Sequence, residues 1–208
     1  MARRLVNLTL DNLSELPSRC RGCVFWELDP VARERAERSG DPALEKEAWL
    51  SDTLLEWGSC GQLVYVDEVP AGYVLYAPAA YVPRSVAFPT SPVSPDAVLL
   101  MTARLMPEFR GGGLGRMLVQ GAAREVVRRG IRALEAFGRT VTGDPEPDEH
   151  GCLLPADYLL AVGFKTVRAH PRTPRLRLDV KSTATWKEDM EAAVDRLLSS
   201  MQTPVLSR

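Results

Sequence analysis

The sequence predicts a mixed α/β fold, built on a mostly antiparallel sheet with one parallel strand pair. Three observations carry that expectation. The strand-like runs 62–66 and 72–77, separated by DEVPA, read as a hairpin. A buried-type strand over 97–105 passes through four glycines in five positions (111–115) into an amphipathic helix and then a strand over 132–137, a β-α-β unit whose strands should lie parallel. A short helix in PADYLLAVGF ends at Gly163, and the runs 164–168 and 175–180 can form a last pair of strands.

The remaining elements follow in chain order. Residues 4–8 read as a first strand and 11–16 as a short helix, followed by RCRGCVFWELDP as an irregular stretch. Over 43–57, Leu44, Ala48, Leu54, Leu55 and Trp57 recur among charges at helical spacing until Gly58 stops the run. The loop 78–96 carries Pro78, Pro83, Pro89, Pro92 and Pro95, and its length points to a stiff functional loop or lid rather than a plain connector. From Leu114, the residues Leu114, Met117, Leu118, Ala122 and Val126 form an apolar face, and Arg116, Gln120, Arg124 and Arg128 line another side up to Gly130. GDPEPDEHG, from 143, is an acidic Pro/Gly-rich loop. In the tail, Thr185 and Glu188 have capping-box spacing, ahead of an apolar face from Trp186 to Met201. Residues 1–180 are thus expected to form one domain, and 181–208 an amphipathic helix packed on it or on a dimer partner.

Composition narrows the function. The chain has 208 residues, 45% hydrophobic and 25% charged, enough for one sizeable core. A formal net charge of -1 points away from nucleic acid and from anionic membranes. No apolar run approaches the roughly 18 residues of a membrane helix, and Asn7, Thr9, Asp11 and Asn12 interrupt the place where a signal peptide needs its apolar block. A cytoplasmic protein with reduced thiols at Cys20, Cys23, Cys60 and Cys152 is expected.

The glycines are where chemistry enters. A strand that meets a helix through glycines exposes unpaired N–H groups at the positive end of the helix dipole, and without Cβ atoms an anion, typically phosphate, can approach closely. A Walker A loop is absent, and a dinucleotide fingerprint fails because Leu118 stands where its third glycine belongs. What remains is R-x-x-G-x-G, Arg110 to Gly115, between a buried strand and an amphipathic helix.

That phrase, extended to LMPEFRGGGLG over 105–115, resembles the signature of the GNAT N-acyltransferases, in which Q/R-x-x-G-x-G follows a strand ending in V-x-P-x-Y/F-R. The order of elements over residues 4–180 is similar to theirs as well. The resemblance implies a GNAT-like fold, with helices on both faces of the sheet and the parallel pair splayed, and it implies acetyl-CoA as co-substrate. Backbone amides at Gly111, Gly113, Gly115 and Arg116 would hold the pyrophosphate, with Gly112 and Leu114 completing the turn. Backbone groups near Arg104 and Leu105 would pair with the pantetheine arm. Arg110 and Arg116 are candidates for direct phosphate contact.

Acyl transfer to an amine needs a neutral nitrogen, yet a lysine-like amine is neutral at pH 7 to only about one part in a thousand. A carboxylate, or water held by one, can take the proton. Glu135, on the strand after the signature helix, and Glu27, in CVFWELDP, are the candidates. In the family a tyrosine four residues before the glycine of a GF phrase commonly protonates the leaving thiolate. Leu159 holds that position here and Tyr158 comes one residue, about 100° of helix, early. Tyr158 is the candidate acid.

CRGCVFWE, with Cys20 and Cys23, is expected to wall the acceptor pocket together with Trp26, Tyr81 and Phe88. A C-x-x-C pair is also half a zinc site or a redox pair, but no second C-x-x-C completes a site and no metal is assigned. The acceptor is expected to be a primary amine of a small molecule or peptide. The alternative is a non-catalytic acyl-CoA binder or thiol sensor that uses the same turn and the Cys20/Cys23 pair.

Overall fold

The computed structural model describes residues 2–140 and 152–180. Strand β1 (Arg3–Asn7) leads into a 3-10 turn at Leu13–Glu15, shorter than the helix expected over 11–16, and then into α1 (Ser18–Arg21). Helix α2 (Pro30–Ser39) was not foreseen from the sequence. It is almost entirely polar, so it carries no apolar stripe to betray it, and its ends hold it instead. Asp29 accepts hydrogen bonds from the Val31 and Ala32 amides at 2.8 and 2.9 Å, Pro30 opens the first turn and Gly40 closes the helix at φ 88°. The same Asp-Pro start recurs at α3 (Pro42–Glu56), where Asp41 accepts from the Leu44 amide at 3.0 Å.

Strands β2 (Gly61–Val66) and β3 (Val69–Ala77) form the expected hairpin. Its turn is tighter than the sequence suggested, with only Asp67 and Glu68 at the corner, both at positive φ. Strand β4 (Ala97–Leu105) runs through the glycine turn into α4 (Leu114–Arg128), and β5 (Ala133–Arg139) follows. The short β6 (Leu154–Pro155) precedes α5 (Ala156–Ala161), and β7 (Lys165–Arg168) and β8 (Arg175–Asp179) end the described chain. The acidic loop 143–150 and the tail helix expected over 185–201 lie outside the described residues.

The sheet order is β1-β2-β3-β4-β5-β8-β7, with β6 beside β5. Neighbours are antiparallel except β4 with β5 and β5 with β6. Each face of the sheet buries its own core. Helices α4 and α5 cover one face, with Leu114, Leu118, Val126 and Leu159 packed on Val74, Tyr76, Leu100 and Leu134. The opposite face packs Leu50 of α3, Phe25 and Trp26 on Leu63, Leu75, Leu99 and Phe137. No described helix is long and apolar enough to cross a membrane.

The proline-rich loop is fastened to that second face. The Trp49 indole N–H donates to the Tyr81 carbonyl at 2.7 Å, the Thr90 hydroxyl to the Thr173 carbonyl at 2.9 Å, and Phe88 stacks against both Trp26 and Phe137.

Candidate active site

The parallel pairing of β4 with β5 lasts three residues, from Ala97 opposite Ala133 to Leu99 opposite Glu135. Beyond that point β4 runs on to Leu105, whereas β5, whose other edge carries β8, pairs with β6 at Gly138 and Arg139, so the two strands part and leave a cleft. Only one edge of β4 is hydrogen-bonded there, to β3. Strand amides and carbonyls point to the two edges at alternate residues, so on the other edge every second residue of 100–105, and one of the pair Arg104 and Leu105, offers its groups to the cleft.

At the end of β4 the chain turns through Pro107–Phe109 into the glycines. Gly111 and Gly113 sit at φ 84° and 78°, where a side chain is strained, and no other atom lies within 4 Å of the place a Cβ would occupy on either. Gly113 is the N-cap of α4 and supplies no side-chain cap. The Met117 amide bonds the Gly113 carbonyl at 3.1 Å, so the amides of Leu114, Gly115 and Arg116 precede the first intrahelical bond and point out of the helix end. The outcome is an open, uncapped, positively polarised cradle at the mouth of the cleft.

A sequence model of the acetyltransferase (GNAT) family matches residues 20–145, which run from within α1 past β5 and contain the β4–α4 turn. The chain belongs to the GNAT acetyltransferase family. As such it is an acyltransferase enzyme. No curated protein matches it in sequence. Solved structures are similar in fold at low identity. The PaiA N-acetyltransferase of Thermoplasma acidophilum, crystallised with coenzyme A, is 12% identical, with a TM-score of 0.55 over 86% of this chain and 99% of its own. YncA of Salmonella typhimurium, crystallised with its cofactor acetyl-CoA, gives 0.55 at 12% identity over 88% and 96%. An N-acetyltransferase of Staphylococcus aureus gives 0.53 at 12% identity over 87% and 100%.

The GNAT residues anticipated from sequence occupy distinct environments. Tyr158, on α5, lies over the cradle, its hydroxyl 2.9 Å from where a Gly115 Cβ would stand. That oxygen is buried and has no hydrogen-bond partner among the described residues, and burial pushes its pKa up to about 12 against the pull of Arg116. The Arg116 guanidinium is turned toward α5, donating to the Ala161 carbonyl at 3.1 Å. Arg110 is exposed. Sequence reasoning missed Arg3, which reaches the turn from β1 and donates to the Gly112 carbonyl at 3.0 Å; no local motif announces a contact 109 residues away.

Glu135 stands at the fork of the cleft and is fully buried. It accepts from Arg175 at 2.5 Å, from Arg177 at 3.2 Å and from the Ser94 amide at 3.1 Å, while Arg177 also grips Asp96 at 2.9 Å. Burial alone would raise its pKa, but the bonds from Ser94 and Arg175 outweigh that and hold it below the usual carboxylate range. Glu27 is likewise buried, ion-paired with the buried Lys46, whose ammonium also donates to the Cys23 carbonyl at 2.8 Å. Both carboxylates are therefore charge-compensated parts of the walls.

On the face opposite α4, a pocket is lined by Cys20, Cys23 and Cys152 together with Arg19, Arg33 and Arg104. Trp26 does not open to solvent; it is 2% exposed and backs the wall through its stack with Phe88 and Phe137. Tyr81 and Phe88 are half-buried on the same core. The partner of the Cys23 sulfur is Cys152, at 3.1 Å, rather than Cys20. Cys20 is buried with its thiol bonded to the Tyr73 hydroxyl.

Proposed function

We propose that the chain transfers the acetyl group of acetyl-CoA to a primary amine of a small molecule or peptide, by direct attack through a tetrahedral intermediate. The observation that carries this reading is the continuity of the parted strand edge with the uncapped start of α4. A thioester arm lying along β4 has backbone partners near Arg104 and Leu105, and its diphosphate meets the amides of Leu114, Gly115 and Arg116 at the positive helix end. Gly111, Gly112 and Gly113 leave room for it, and Arg3, Arg110 and Arg116 supply positive charge around the turn.

In this reading, strand N–H groups along the open edge of β4 stabilise the oxyanion. Tyr158 gives its proton to the departing thiolate; it is fully protonated at neutral pH and among the described residues its hydroxyl has no partner to lose. Glu135 is engaged by arginines and Glu27 by Lys46, so the ammonium proton leaves through water rather than to either of them directly. The pocket of Cys20, Cys23 and Arg104 receives the amine, opposite the cofactor side of β4.

The test is a panel of small amines, amino acids, polyamines and peptides with acetyl-CoA, following free CoA by chromatography so that the protein's own thiols do not contribute. Amine-dependent CoA release supports the proposal. Binding of acetyl-CoA without turnover on any amine would contradict it and favour the non-catalytic binder.

A further inference from the structure

Of the four cysteines, two are shut away. Cys60 has no exposure, and burial pushes its thiol up to about 12; Cys20 is 6% exposed and engaged with Tyr73. The other two, Cys23 and Cys152, are half-buried in the pocket wall and their sulfurs touch at 3.1 Å, although 129 residues separate them in sequence. Both backbones are fixed. The Cys23 carbonyl is held by the Lys46 ammonium, its amide donates to the Cys20 carbonyl at 3.3 Å, and the Cys152 carbonyl accepts from the Trp26 indole at 3.4 Å just before β6 joins β5. A covalent bond between the sulfurs needs an approach of about 1 Å, which side-chain rotation supplies.

We propose that Cys23 and Cys152 form a peroxide-reactive thiol pair that closes to a disulfide across this pocket. Cys23 is the attacking sulfur. Its thiolate is favoured first by the hydrogen bond from Cys152, and then by the Phe25 amide and the Lys46 charge, which lower its pKa against burial and Glu27. Cys152, as the donor, is pushed up and stays a thiol. The thiolate attacks one peroxide oxygen, the O–O bond breaks and hydroxide leaves, giving the sulfenic acid on Cys23. The Cys152 sulfur then attacks the Cys23 sulfur, the S–O bond breaks, and the departing hydroxide leaves as water with the Cys152 proton. In sum, two thiols and one peroxide give one disulfide and two waters. The bond staples the turn after α1 to the start of β6 and removes a thiolate from beside Arg104. Among the described residues no three His, Cys, Asp or Glu side chains group as metal ligands.

The experiment treats the full chain with hydrogen peroxide and follows free thiols, intact mass and a non-reducing peptide map. The expected result is loss of two of the four thiols, a linked pair of peptides carrying Cys23 and Cys152, and reversal by a dithiol reductant. Cys20→Ser retains the link. Cys152→Ser stops at a Cys23 sulfenic acid that a dimedone-type reagent traps. Four free thiols after peroxide, or a link between Cys20 and Cys23, overturns the proposal; the wild-type map alone decides it should a variant fail to fold.

Discussion

A glutamate with no solvent exposure and two arginines for partners ties stability to pH in a definite direction. The folded protein holds Glu135 below its ordinary value of 4.5, so the ionised form favours folding. That contribution is fully present above the ordinary value and is lost as pH falls through the folded one. Substituting Glu135→Gln leaves Arg175, itself largely buried, without its carboxylate partner, while Arg177 keeps Asp96 and Asp179. Urea unfolding at pH 7 should show a loss of about 3–5 kcal/mol, and the difference from wild type should shrink toward pH 3. An unchanged midpoint would mean the cluster is not structural. The sequence placed Glu135 on the right strand and left open which way it faced, because the arginines that decide this arrive some 40 residues later on β8. For the same reason the sequence offered Cys20 as the neighbour of Cys23; C-x-x-C is visible locally, whereas the contact with Cys152 exists only once β6 has folded beside β5.

The junction of β4 and α4 is the element where sequence and structure agree most closely. Glycine spacing announced it, and positive φ at Gly111 and Gly113 gives the spacing its reason. Because nothing lies within 4 Å of a Gly113 Cβ, Gly113→Ala costs only the left-handed backbone, about 1 kcal/mol, and the fold persists. The added methyl takes up room in the open turn that the proposed diphosphate would use. A calorimetric titration should find CoA bound about tenfold or more weakly, the worth of one charge-assisted bond. Equal affinity in a folded variant would place the diphosphate elsewhere. Helix α2 lies at the other extreme of legibility. Periodicity could not reveal a helix that buries little, but its Asp-Pro start and Gly stop were legible as caps, and the identical start at α3 shows the signal to be usable.

Across the molecule, two cores on two faces of one sheet divide the labour. The face under α4 and α5 holds the uncapped helix end, and the opposite face holds the thiol-lined pocket, with the parted strands β4 and β5 between them. The hairpin, the parallel pair and the last strand pair were readable from local patterns. The length of the parallel pairing was not, since β5 goes on to pair with β6, which follows later in the chain. The central claim is that the cleft and the cradle hold one continuous ligand. A crystal structure of the chain with CoA tests it most directly. The account predicts the pantetheine arm along the open edge of β4 near Arg104 and Leu105, and diphosphate oxygens within hydrogen-bonding distance of the Leu114, Gly115 and Arg116 amides. CoA lodged away from the glycine turn, with those amides facing solvent, would contradict it.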